Sequence, residues 1–362
     1  MLKMCKLDSI KGEVWRKAEI ENTVFQRFDK IANKYPLNIA VYDTEQQWTY
    51  SNLKKRSLEF AQYLDTINSK VTGILLPPCG DFLAVVLGAL RQGIPYVPLD
   101  IKFPVEFILK VIENSGIDSI ITDRSTAKML YNSNLNQNKI SILEHENFGY
   151  SLLKVASDTK TTAKSTACIV YTSGSTGEPK GVYQSHKILL HDIWTYSITI
   201  KINSQDVFAW TYPPNVAGAI RDIFGSLLNG ANLLVLNPRK LSIRQMLKRI
   251  SVHKATIFHS IPPLMRIFFN SKPDPKLLKT IRLAYIAGDR FFSKDIETFF
   301  RFFPKDCIIY NGIGSTECTT LYRHWFLDSN VQLKTQTVPL GYAVPDKTIR
   351  IIDDNGKEVE NG

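Results

Sequence analysis

Two short stretches concentrate the residue types that could handle an anion. In the first, Thr172, Ser173, Ser175 and Thr176 place four hydroxyl donors within five residues. Gly174 and Gly177 allow positive φ and close backbone approach, and Lys180 adds a mobile cation. Phosphate binding is the chemistry such a set serves. In the second, Asn311-Gly-Ile-Gly-Ser-Thr-Glu317 gathers two glycines, two hydroxyls and one carboxylate. A carboxylate beside phosphate oxygens is the hard donor that magnesium prefers.

Each stretch must be held by what precedes it. Residues 167–171 and 307–310 are continuous apolar runs, the pattern of strands buried on both faces, and such strands end near ligands. A Walker A loop needs G-x-x-x-x-G-K-[ST]. Counted from Gly174, Pro179 stands where the second glycine belongs and Gly181 follows Lys180, so that loop is excluded. A Gly/Ser-rich surface turn is the plainer alternative, but it does not call for a buried strand before it and a Pro-Lys-Gly exit after it.

The wider chain reads as an α/β protein. Strands are expected at 39–42, 71–76, 117–122, 255–260 and 281–286, with helices between them at 81–92, 104–114 and 185–200, the pattern of largely parallel sheets flanked by helices. Ser242 and Gln245 form a capping box before the apolar positions 243, 246, 247 and 250, leaving Arg244, Lys248 and Arg249 on the wet face. Polar residues 132–138 and 160–165 are expected to be loop and linker. His186 and His191 lack sequence partners that would make either a catalytic base. Ligands collect at the carboxyl ends of strands in open α/β sheets, which draws attention to Pro262-Pro-Leu264 and Ala287-Gly-Asp289.

Composition narrows the function class. With 362 residues, 44% of them hydrophobic and 22% charged, the chain can bury a large core in one big or two to three smaller lobes. The net charge of +11 is spread along the whole length, so a solvated surface is expected rather than a nucleic-acid partner. Cys5, Cys79, Cys168, Cys307 and Cys318 form no C-x-x-C pair, as expected for reduced thiols in the cytoplasm. Charges interrupt the N-terminal apolar residues, and Pro77, Pro78, Gly80 and Asp81 break the most apolar window, so neither a signal peptide nor a membrane span is expected.

Tyr171-Thr-Ser-Gly-Ser-Thr-Gly-Glu-Pro-Lys-Gly181 resembles the phosphate loop of the adenylate-forming superfamily, which includes acyl-CoA synthetases, luciferases and the adenylation domains of nonribosomal peptide synthetases. Residues 90–100, ending Tyr-Val-Pro-Leu-Asp, resemble the second core motif in its peptide-synthetase form, and residues 48–53 more weakly resemble the first. The resemblance implies that a carboxylate attacks the α-phosphate of ATP to give an acyl-adenylate and pyrophosphate, and that the acyl group then passes to the thiol of a phosphopantetheinyl carrier protein or of CoA. It further implies the large N-terminal core of that fold over residues 20–362, in lobes near 20–165, 166–325 and 326–362, the last a smaller β region, behind a leader at 1–19.

By the same resemblance, Thr172 to Gly177 with Lys180 would hold phosphates, with Thr176 and Lys180 acting in the chemistry. Gly288 and Asp289 would lie by the adenine with Asn311, Gly312, Ile313, Gly314 and Ser315. Thr316 would meet the α-phosphate, and Glu317 would bind Mg2+. Ile313 stands where the family usually has Tyr.

The pocket for the acid would be lined by Ala217, Gly218, Arg221, Leu264, Tyr285, Ala287, Gly312, Thr320 and Leu321. Ala217 replaces an Asp that pairs with the substrate α-ammonium in amino-acid-activating members, and Val216 replaces a Phe. A buried ammonium without that partner would cost several kcal/mol, so an acid that lacks an ordinary α-amino group, or carries it elsewhere, is expected. Arg221 would either recognise a polar oxygen of the substrate or pair with a neighbouring carboxylate. The family's C-terminal small domain, with its catalytic Lys, is absent here, so an excised fragment with slow adenylation and poor thioester transfer is expected. A free-standing acyl- or aryl-CoA ligase and a nucleotide-binding module without chemistry are the competing readings.

Overall fold

The apolar runs become the inner strands of two sheets in the computed structural model, which describes residues 15–132, 140–144, 149–156, 165–173, 178–318 and 321–359. One sheet has seven strands in the order Ile140–Glu144, Ser151–Val155, Ser119–Thr122, Thr72–Leu75, Tyr96–Pro98, Thr166–Ser173, Pro179–Ser185. The other has nine, in the order Tyr342–Ala343, Leu321–Leu327, Ile308–Gly314, Leu283–Ala287, Ile257–Ser260, Val207–Trp210, Asn232–Val235, Ile39–Tyr42, Gln47–Thr49.

Both sheets are parallel inside and antiparallel at their edges. The inner strands Thr72–Leu75, Ser119–Thr122, Val207–Trp210 and Ile257–Ser260 are buried at every position, because helices cover both faces of a parallel sheet. The expected α/β class holds, and so do most elements within a residue or two. Helix Gly80–Arg91 is buried over nearly all its length, and its apolar face continues into a core that joins both sheets. Gly88 in this helix lets the backbone approach helix Tyr50–Thr66, since a Cβ there would stand 2.7 Å from the Ser57 carbonyl oxygen.

Several local expectations need correcting. Strand Thr166–Ser173, which leads to the phosphate loop, pairs antiparallel with Pro179–Ser185, with Thr172 opposite Lys180. Sheet membership also crosses the expected lobe boundary at 165, since this hairpin completes the seven-stranded sheet while residues 39–49 join the nine-stranded one. Arg249 leaves the wet face: its Nη2 donates to the carbonyls of Asp43 at 2.8 Å and Tyr42 at 3.3 Å, tying helix Ile243–Val252 to the first strand. The Ser242 and Gln245 capping box forms as expected.

His186 is buried and its Nδ1 accepts from the Val24 N–H at 3.2 Å, while His191 Nε2 lies 3.5 Å from the Asp346 carboxylate. Most of the loop expected at 132–138 and of the linker at 160–165 lies outside the described residues. Among the described residues no helix is long and apolar enough to cross a membrane.

Candidate functional site

Three adjacent strands of the larger sheet set the floor of the site. Parallel register puts His259 beside Tyr285 and Tyr285 beside Tyr310, so the three rings form one row across the sheet. The imidazole stacks on Tyr285 at 4.0 Å between centroids, and Tyr285 lies 5.2 Å from Tyr310. Helix Ala217–Leu227 crosses above this row and supplies Arg221 and Asp222, both buried.

Arg221 settles its two alternatives by pairing. Its Nε donates to Asp192 Oδ2 at 2.8 Å, its Nη2 donates to Asp192 Oδ1 at 2.5 Å, and its Nη1 donates to the Tyr285 hydroxyl at 2.7 Å. The guanidinium also lies over the rings of Tyr196 and Tyr285 at 5.5 and 5.6 Å. Burial works against its charge, but Asp192 and the tyrosines more than offset this and hold its pKa above the ordinary value. Tyr285, in turn, is pushed up to about 12 by burial.

Asp222 is fully buried, and its Oδ1 lies at hydrogen-bonding distance, 2.9 Å, from His259 Nδ1. Burial raises its pKa, opposed by His259 and then Arg221.

These groups wall a cavity of about 250 Å³. At one end are Tyr212, Val216, Ala217, Gly218, Arg221, His259 and Tyr285; at the other are Ala287, Gly288, Gly314, Ser315, Thr316 and Leu321. Gly218 is required where the helix meets Tyr212, because a Cβ there would stand 2.8 Å from the ring. Gly288 sits at φ +88°, a conformation costly for other residues, as strand Leu283–Ala287 turns away at the cavity wall.

Ala217, Gly218, Arg221, Tyr285, Ala287 and Leu321 line this one cavity, with Gly288, Gly314, Ser315 and Thr316 beside them. Leu264 is not among them: it lies in the first turn of helix Pro262–Asn270 and packs against a second apolar core built around Phe258, Phe268 and Phe299. Gly312 is buried within its strand beneath Leu321. Asn311 is buried and donates from Nδ2 to the Pro339 carbonyl at 3.1 Å. Ile313 is half-buried, and Asp289 and Glu317 are exposed in turns. Thr172 is half-buried and Lys180 exposed on the hairpin, for which the Ser173 backbone is described. Gly174, Ser175, Thr176, Gly177 and Thr320 lie outside the described residues.

The two stretches with which the chemistry began are linked by a residue the sequence did not single out. Gln184, buried on strand Pro179–Ser185, donates from Nε2 to the Thr316 carbonyl at 3.3 Å. His259 and Tyr212 were missed as well. The one signal for His259 was an ionisable residue near the carboxyl end of a strand that is otherwise mostly apolar.

The AMP-binding enzyme family model matches residues 28–362. Gramicidin S synthase 2 of Brevibacillus brevis is 26% identical over 341 residues, which is 92% of this chain; the chain spans 7% of that relative's length. The N-terminal subdomain of Klebsiella oxytoca NpsA, solved in complex with 3-hydroxybenzoyl-AMSN, is 18% identical with a TM-score of 0.75, covering 94% of this chain and 85% of that one. NpsA-ThdA, an artificially fused adenylation-PCP di-domain from the same organism, is also 18% identical with a TM-score of 0.75, covering 94% and 67%. At such identities the structural likeness establishes the fold.

Proposed function

The chain belongs to the AMP-binding enzyme family, and from that membership we propose that it activates a small carboxylic acid as an acyl-adenylate at the expense of ATP, for loading onto a phosphopantetheinyl carrier protein. The observation that carries this reading is the single cavity running from Tyr212 and Ala217 to Gly314–Thr316, which gives an acid and a phosphate one shared space.

In this reading a carboxylate oxygen of the acid attacks the α-phosphorus, a mixed-anhydride O–P bond forms, and pyrophosphate leaves with the electrons of the broken P–O bond. Thr316 stands at the end of the cavity where that phosphate would lie, held in place through its carbonyl by Gln184. Gly288 and Gly314 keep the wall low enough for a nucleotide to approach. Lys180, exposed on the neighbouring hairpin, would offset phosphate charge.

The donor set also fits magnesium. Glu317 gives one exposed carboxylate next to Thr316, and among the described residues no group of three or more His, Cys, Asp or Glu could hold an ion alone. Magnesium commonly binds through one or two carboxylates plus substrate phosphates. When bound it supplies charge neutralisation to the departing pyrophosphate.

The acid is read as lacking an ordinary α-amino group. Among the described residues the cavity wall carries no carboxylate, since Asp192 and Asp222 lie behind Arg221 and His259. The 3-hydroxybenzoyl group bound to the NpsA subdomain, which has no α-ammonium, is in keeping with this. The carrier partner draws support from the adenylation-PCP di-domain, and ATP chemistry with free thiols suits the cytoplasm.

ATP–pyrophosphate exchange across amino, hydroxy, keto, aryl and fatty acids tests the reading. Exchange with acids lacking an α-amino group, dependent on Mg2+, is expected. Best exchange with α-amino acids would overturn the substrate reading, and none with any acid would overturn the activity.

A further inference from the structure

His259 is the cavity's least explained polar group. Its imidazole is buried, flanked by the ring of Tyr285 at 4.0 Å and that of Tyr212 at 4.4 Å, and its Nδ1 is engaged by Asp222. Asp222 does not line the cavity, whereas His259 does. With two aromatic rings against it and Nδ1 turned to the carboxylate, His259 meets the cavity with its remaining Nε2 edge.

The protonation of that edge follows from its partner. With the Nδ1–H donated to Asp222 Oδ1, the neutral ring presents Nε2 as a bare lone pair. Of the other acyl-end groups, Ala217, Gly218 and Val216 have no polar side-chain atoms and the Tyr285 hydroxyl already accepts from Arg221, which leaves the Tyr212 hydroxyl as the acceptor beside the imidazole.

Position says which part of a substrate reaches this lone pair. His259 shares its row with Tyr310, and Gly314 lies four residues further along that strand, roughly 13 Å at 3.3 Å per residue. An acid whose carboxylate lies at the Gly314–Thr316 end meets His259 with its distal group.

We propose that His259 Nε2 is a specificity-determining acceptor, selecting an acid that carries a hydroxyl donor at its distal end over the same acid without it. The proposal rests on the activation reading above for the direction in which the acid lies, and it adds the chemical class of the substrate. A buried lone pair facing an analogue that cannot donate loses its water without gaining a partner. Discrimination of about 10- to 100-fold follows for one such acceptor.

The test uses binding rather than turnover. Dissociation constants are measured by ligand-observed NMR on the full chain for hydroxycinnamic acids and for ω-hydroxyalkanoic acids of about six to ten carbons, the lengths that span roughly 13 Å, each against its fluoro and unsubstituted analogue. At least one hydroxyl-bearing acid is expected to bind about 10- to 100-fold more tightly than both analogues, and His259→Phe to abolish the preference without weakening the analogues.

A second measurement needs no variant. In histidine labelled with ¹⁵N, the His259 Nε2 signal is expected at the unprotonated position and to move on adding the preferred hydroxy acid but not its fluoro analogue. A protonated Nε2, a preference that survives His259→Phe, or no binding by any hydroxyl-bearing acid overturns the proposal. If pyrophosphate exchange fails for every acid while the His259-dependent preference persists, the activation reading falls and the recognition stands. Exchange without such a preference does the reverse.

Discussion

At the acyl end of the cavity, Arg221 is bonded to Asp192 and Tyr285, Asp222 to His259, and Tyr310 Oη lies 2.9 Å from His324 Nδ1, all in buried or half-buried surroundings. At the other end Gly288 and Glu317 are exposed, and Ser315 and Thr316 are half-buried in a turn that Cys318 N–H closes on Ser315 Oγ at 3.2 Å. The first end has its polar geometry made before any ligand arrives; the second leaves its groups facing solvent. An acid can be recognised by a preformed wall, while a charged nucleotide needs groups still hydrated and accessible. Stability and activity should therefore separate between the two ends.

The largest expected effect is on stability. Arg221→Ala strands the buried Asp192 carboxylate and should cost about 3–5 kcal/mol, read from denaturant unfolding, whereas Arg221→Leu combined with Asp192→Leu should recover most of it. An equal loss in the double variant would show that packing, and not charge pairing, makes the acyl end rigid.

Next in size is an effect on activity alone. Glu317→Gln should lower magnesium-dependent pyrophosphate exchange by about 10²-fold, measured across a magnesium series, and leave the unfolding midpoint in place because the side chain is exposed. A matching loss of stability would erase the contrast.

The smallest effect is a pH slope. Burial, and then the Arg221 charge, hold His324 below the ordinary imidazole value. The stability tied to its neutral form is complete above the unfolded pKa of about 6.5 and is lost as pH falls through the lowered folded value. Unfolding midpoints from pH 7 to pH 5 should thus fall more steeply in the parent than in His324→Phe. Identical slopes would place His324 outside the acyl-end network.

Much of this was legible in the chain because it is local. Continuous apolar runs located the parallel strands, and the Ser242 box located a helix start. Leu264 failed for a related reason: its position in the chain said that it follows a strand, but the helix begins at Pro262 and rotates it toward the second core. Arg249 failed likewise, since its partners are carbonyls some 206 residues away.

By itself, the order of residues determined which segments are buried strands, which turns carry glycines and hydroxyls, and which family pattern they resemble, because these depend on periodicity and on neighbours within a few positions. Only the tertiary structure decided that Arg221 pairs with Asp192, that Gln184 holds Thr316, and that His259 stands against Asp222 with one nitrogen left for the cavity. Those contacts join residues 29, 132 and 37 positions apart. A charged side chain's partner is set by which strands lie side by side and which helix crosses them, and no local pattern encodes that register.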